Sequence, residues 1–268
     1  MTGHGAIAWA SLEYFFVGAP TDQRCQFTSI QDALTAAAAN GPDLDYVMVA
    51  NTAGYTNQAL FIGNQSVLIQ GGYRSCDLDD DEDQPYAAIS GNASDPVIRV
   101  EPLAAAAYTN YRVVLSRLRL SGGGRDDANG GGLRVVTAAN VGVRVRIEGN
   151  EITGNRAYNG AGVYLLKSTA AQAGSPELTI YPGTRIHANT AAQLGGGLHV
   201  SGGLVFMAPD AVSIDHNTAA GAGGGIMLQP GTLFVDNAVS HLAAGPAPRR
   251  PAVGLNWPTQ VQVGPSMV

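Results

Sequence analysis

The chain has 268 residues, of which 35 are glycine; 45% are hydrophobic but only 13% charged and 7% aromatic, and the formal net charge is -6. That acidic balance argues against generic nucleic-acid binding, which needs an excess of basic charge, although a local basic patch stays open. No apolar run reaches the roughly 18 residues a membrane helix requires, so the composition points to stacked β-strands with tight turns and a core of Val, Ile and Leu.

Residues 6–19, AIAWASLEYFFVGA, are apolar but contain Glu13 and lack a basic flank, so they read as a first strand and not as a signal peptide. The opening MTGHG resembles residues added for expression, which would mean that any native export signal has been trimmed off. Ser29 then precedes Ile30, Ala33, Leu34 and Ala37, with Asp32 in the first turn and Gly41-Pro42 at the end. That pattern predicts a short amphipathic helix. Strands are predicted at 45–50, 59–63 and 66–73, each bounded by Asn, Gly or Thr. Residues 77–83, DLDDDED, form the strongest charge run; without a glycine for a tight calcium loop or a following bidentate Glu, they read as a solvated acidic loop.

Residues 186–200, IHANTAAQLGGGLHV, and 214–228, IDHNTAAGAGGGIML, agree at eight of fifteen positions at an offset of 28. A looser copy, ITGNRAYNGAGVYL, occupies 152–165, with half-copies at 130–135 and 233–237. Such a period marks a solenoid whose units bury their apolar faces only by stacking. Within one unit, LHV at 198–200, LVFM at 204–207 and VSI at 212–214 read as three short strands separated by turns, with Leu198, Val200, Ile214, Ile226 and Leu228 inside. The expected fold is all-β: a right-handed single-stranded parallel β-helix, a three-faced solenoid of seven or eight coils with a short N-terminal capping helix. Residues 1–44 would supply the strand and capping helix and 45–240 the β-helix. Residues 241–268, rich in proline, would form a C-terminal cap anchored by Trp257, or a linker. Asn155, Asn189, Asn217 and Asn237 recur at one place after a strand, where a turn needs a residue that tolerates positive φ and bonds backbone. Stacked coil on coil, they would form an amide ladder, and the Gly triplets would let the chain bend onto the next strand.

The order strand, SIQDAL helix, VMVA and GY resembles the start of right-handed parallel β-helix proteins, and GGYRSC at 71–76 resembles bacterial surface members of that group. The GGG[LI] and [IF]xxN elements are similar to the repeats of polymorphic outer-membrane autotransporter passengers, without their barrel. This resemblance spans roughly residues 12–240 and implies an exported bacterial protein, extracellular or at the cell surface. Cys25 and Cys76 are either two free thiols or one bridge. The implied export favours the bridge, which would close a loop of about 50 residues and contribute about 4 kcal/mol.

Chemistry is sparser. Arg117 and Arg119, with Arg144 and Arg146 at an offset of 27, are candidates for a basic patch on one face, suited to sulfated or carboxylated glycans. Glu101, Glu148 and the acidic loop are its candidate neutralisers. Arg134, Tyr164, His199 and Met227 form a second candidate ligand-binding column. Hydrolysis there would need paired carboxylates, and β-elimination would need Ca²⁺-binding acids; the column has none, and Asp126 and Asp127 lie on the preceding loop. His187 with Asp215 reads as surface pairing, and the five histidines show no metal-ligand spacing, so no metal, cofactor or catalytic residue is expected. The reading is a monomeric, non-enzymatic surface or secreted protein for adhesion or recognition of a glycan or surface protein, with a polysaccharide lyase or glycoside hydrolase as the alternative.

Overall fold

Apolar and polar residues alternate along strands such as Leu118–Ser121 and Pro176–Ile180, so one face of such a strand turns inward and the chain has to wind to bury it. The computed structural model describes residues 12–41, 43–51, 53–77, 86–170, 173–208, 211–229, 232–236 and 253–255. It opens with β1 (Tyr14–Val17) and α1 (Ile30–Asn40). Three coils follow: β2 (Leu44–Ala50), β3 (Tyr55–Gln58) and β4 (Leu60–Ile62); β5 (Ser66–Tyr73), β6 (Ala87–Gly91) and β7 (Ile98–Val100); β8 (Thr109–Ser116), β9 (Leu118–Ser121) and β10 (Leu133–Val136). The next three gain a fourth short strand. They run β11 (Val141–Glu148), β12 (Glu151–Thr153), β13 (Arg156–Asn159) and β14 (Val163–Leu166), then β15 (Pro176–Ile180), β16 (Arg185–His187), β17 (Thr190–Leu194) and β18 (Leu198–Ser201). Last come β19 (Gly203–Met207), β20 (Ser213–Asp215), β21 (Thr218–Ala219) and β22 (Ile226–Leu228), before β23 (Thr232–Asp236) and β24 (Val253–Leu255).

Stacking of these coils makes a parallel β-solenoid. A first sheet has the order β1-β2-β5-β8-β11-β15-β19-β23, a second β20-β16-β12-β9-β6-β3 and a third β24-β22-β18-β14-β10-β7-β4. A corner sheet, β13-β17-β21, lies between the second and third in chain order. The three main faces and the capping helix follow the sequence expectation. The described coils number about six, fewer than expected, and the corner sheet is an addition to the expected three faces. The reason is coil length: Val113 pairs with Val145 and Val145 with Leu178, a longer step than the 28 residues between Ile186 and Ile214. The extra residues form the loops and corner strands between the main sheets.

Inside, like stacks on like. Val47, Ile69, Leu115, Ile147, Ile180 and Met207 make one register column on the first sheet. Ile89, Leu120, Ile152, Ile186 and Ile214 make another on the second, and Ile62, Val100, Val135, Leu165, Val200 and Leu228 a third. All of these are buried, and each contributes about 2 kcal/mol through apolar area removed from water.

A solenoid must blunt its open end. Ser29 caps α1 by accepting from the Asp32 N–H, and Ile30, Ala33, Leu34 and Ala37 are its buried face, as the spacing predicts. From α1, the Gln31 side chain stands in for a missing strand: its Oε1 accepts from Phe61 N–H at 2.8 Å and its Nε2 donates to Phe61 C=O at 3.3 Å, on the edge strand β4. Gln26 does the same for edge strand β1, where Phe16 N–H donates to its Oε1 at 2.9 Å. Cys25 and Cys76 form a disulfide across 51 residues, tying this cap to the end of β5. A Cβ on Gly18 would lie 2.4 Å from the Cys25 sulfur, so only glycine lets the first strand pass the bridge.

Candidate functional site

The repeated Asn positions are architecture. Asn155, Asn189 and Asn217 are buried, and each side chain bonds up and down the stack. Asn155 Nδ2 donates to Asn189 Oδ1 at 3.0 Å and to Leu120 C=O at 3.1 Å, and Asn189 Nδ2 donates to Asn217 Oδ1 at 2.9 Å and to Ile152 C=O at 2.9 Å. The ladder is therefore present. Positive φ, however, falls on the residue before each Asn, at Gly154, Ala188 and His216, and not on the Asn itself. The amide is thereby aimed inward at the stack. Asn237 lies outside the described residues, as do the whole acidic run after Asp77 and the tail apart from 253–255. A second buried amide, Asn150, turns the corner between first and second sheets by accepting from Leu118 N–H and donating to Leu115 C=O, both at 2.8 Å. It breaks the repeat spacing, so sequence reasoning missed it.

The second candidate column is real: Arg134, Tyr164, His199 and Met227 are direct register partners on the outer face of the third sheet, and Phe61 and Arg99 extend it. Tyr164 and His199 rings stack at 5.3 Å and 7°, and the Arg99 guanidinium lies 5.5 Å from the Phe61 ring. Glu101, expected beside the other arginines, instead meets Arg134 at 2.9 Å. Yet the column is a packed wall. Tyr164 is 5% exposed and His199 2%. The cause lies in the loops: Gly195 and Gly160 adopt left-handed φ and rest on the column, where a Cβ on Gly195 would sit 2.7 Å from His199 Cβ. Neither ring nitrogen of His199 has a hydrogen-bond partner among the described residues, and burial pushes its pKa down to about 4. Burial likewise raises the Tyr164 hydroxyl, with Arg134 opposing.

The four arginines do not gather on one face. Because β8 and β11 pair with Val113 opposite Val145, Arg144 stands opposite Arg112, not Arg117. Arg144 and Arg146 project from the first sheet, Arg119 belongs to the second sheet, and Arg117 sits at the corner between them with φ 52°. The 27-residue offset fails because a coil is longer here. Arg119 meets Glu151 at 3.1 Å, and Arg146 meets Glu148 at 2.6 Å while lying 3.9 Å over the Tyr181 ring. Arg144 reaches Glu177 only at 3.5 Å. Arg112, which the repeat offset does not single out, is exposed and has no carboxylate partner among the described residues.

A polar network covers the second sheet. His187 and Asp215 are register partners, but their side chains turn to others: His187 Nε2 meets Glu151 at 2.9 Å, while Asp215 takes Arg185 at 3.1 Å, His216 and Ser213. Burial by itself would raise the Asp215 carboxyl, but the hydrogen bonds from Arg185, His216 and Ser213 outweigh it and hold it well below the usual carboxylate range. With every carboxylate here engaged, the network ties coil to coil.

On the corner sheet, the NTAA repeats build a groove. Asp126, Arg156, Thr190, Ala191, Ala192, Thr218, Ala219 and Ala220 line a volume of about 310 Å³. Arg156 bonds Asp126 with two contacts, at 3.1 and 2.7 Å, and Thr218 Oγ1 bonds Thr190 Oγ1 at 3.2 Å. Among the described residues, the one group with metal-ligand proximity is Asp22 with Cys25 and Cys76, whose sulfurs are joined to each other and offer no thiolate. No helix of the described residues is long and apolar enough to cross a membrane. Comparison with family models, with curated proteins and with solved structures finds no match.

Proposed function

We propose that this chain is an exported, non-enzymatic recognition rod, of the kind found on bacterial surfaces, and that the outer face of its first sheet binds an anionic glycan. The observation that carries the reading is Arg112 directly opposite Arg144. Like charges in register destabilise a strand pair; Glu177, the register partner on the other side of Arg144, pairs with Arg144 at 3.5 Å, and Arg112 keeps no carboxylate partner among the described residues. Sulfate or carboxylate groups accept from guanidinium forks at this spacing. Export is supported by the Cys25–Cys76 bond, since disulfides persist in oxidising compartments. The repeat's likeness to autotransporter passengers supports a place at the cell surface and a role in adhesion. Against the lyase or hydrolase reading stands the engagement of Glu151, Asp126 and Asp215 in ion pairs. Retention on immobilised heparin and polygalacturonate, with elution by rising salt, tests the proposal; flow-through at low ionic strength on both supports contradicts it.

A further inference from the structure

The groove on the corner sheet is separate from the arginine face. It arises because two successive coils carry the same NTAA, while the coil before carries Arg156-Ala157-Tyr158 at the matching positions. Large side chains then give way to small ones, leaving a trough bounded by Arg156 and Asp126. Its chemistry is mixed in a particular way. Its outward methyls are those of Ala192 and Ala220, beside two hydroxyls, while Ala191 and Ala219 turn inward onto Ala157 and Ala161. The charges at its end cancel: both Asp126 oxygens are held by the Arg156 fork. Tyr158, on the same face of β13 as Arg156, presents a ring 41% exposed beside it.

We propose that this groove binds a neutral saccharide unit. An ionic ligand would have to displace one member of the Arg156–Asp126 pair. A polyol instead accepts from the remaining guanidinium donors and donates to the carboxylate lone pairs without breaking it. The apolar face of a sugar ring matches the methyls of Ala192 and Ala220, and its hydroxyl rim matches Thr190 and Thr218. The Arg156, Thr190 and Thr218 N–H groups already donate to the preceding coil, at Gly123, Asn155 and Asn189, and so offer a peptide strand no donors. The inference rests on the glycan-binding reading for its ligand class only, and assigns a different site and an uncharged ligand.

The test is saturation-transfer NMR with titration of galactose, mannose and N-acetylglucosamine against the full chain. At least one is expected to bind in the millimolar range, weakening about tenfold or more in Ala220→Tyr, which fills the groove from an outward position, and in Arg156→Met. Thr218→Val serves if the larger substitution prevents folding, as judged by circular dichroism. The Arg112→Ala, Arg144→Ala double variant is expected to keep neutral-sugar binding whether or not it binds heparin. Absence of transfer from all three sugars, or binding unchanged in folded groove variants, overturns the inference. So does equal loss in the double arginine variant. Loss of heparin binding alone touches only the first-sheet reading.

Discussion

Asn189 Oδ1 accepts from both the backbone N–H and the side-chain Nδ2 of Asn155, each at 3.0 Å, so one buried oxygen satisfies two donors of the coil before it. Asn217 Oδ1 repeats this for Asn189. Replacing Asn189 by Ala strands those two donors and the Ile152 carbonyl, and about 3 to 5 kcal/mol of stability is expected to go, read as a lower urea midpoint. Asn189→Asp is expected to fare worse, because an oxygen would then face the Ile152 and Asn217 oxygens that now accept from Nδ2.

The Gly triplets are tight for a different reason. A Cβ on Gly196 would lie 2.3 Å from Thr218 C=O and 2.5 Å from Gly224 C=O, both backbone of the next coil. Gly154, at φ 65°, has nothing within 4 Å of its would-be Cβ. Gly154→Ala should therefore lose only the left-handed strain, about 1 kcal/mol, whereas Gly196→Ala must push neighbouring coils apart and should lose several times more. Thermal melts of the two variants check the ratio, and equal losses would mean that the close coil contact is absent.

Reduction of Cys25–Cys76 frees a long loop in the unfolded chain. With the cysteines 51 positions apart, about 4 kcal/mol of stability should be lost, whether by reductant or in a Cys25→Ser, Cys76→Ser variant. The loss is measured as a fall in the denaturant midpoint with the slope rising, since the unfolded state expands.

His199 gives the fold an acid-sensitive element. Its folded pKa, near 4, lies below the ordinary 6.5, so the unfolded chain takes up the proton first as pH falls. The stability from keeping the ring neutral is complete above pH 6.5, declines as pH drops toward 4, and totals about 3 kcal/mol. His199→Phe, which keeps the stack on Tyr164, should flatten that slope. The carboxylates held low, Asp22 and Asp215, lose their contribution only below the ordinary carboxylate range and leave this window free.

Most of the fold was legible in the residues, because Asn, Gly and the alternating aliphatics are dictated by backbone geometry that repeats with every coil. The helix from Ile30, the strands at 198–200 and 204–207, the column from Arg134 to Met227 and the Asn ladder all follow from that regularity. The site was less legible. Which arginine faces which depends on coil length, and the loops between β8 and β11 lengthen the coil beyond the repeat, replacing Arg117 with Arg112 opposite Arg144. His187 leaves its register partner for Glu151 because its side chain reaches back to the preceding coil. The burial of His199 comes from a loop folded over it, which alternation along β18 does not reveal.

Recognition of an anionic glycan by the first sheet depends on Arg112 and Arg144, and the most direct measurement is heparin affinity of the Arg112→Ala, Arg144→Ala variant beside the unaltered chain. Both positions point outward, so the variant should fold and melt close to the unaltered chain, the relief of like charges in register offsetting loss of the exposed Arg144–Glu177 pair. Heparin affinity is expected to fall about a hundredfold and to lose most of its salt dependence. Unchanged affinity in a folded variant would contradict the assignment.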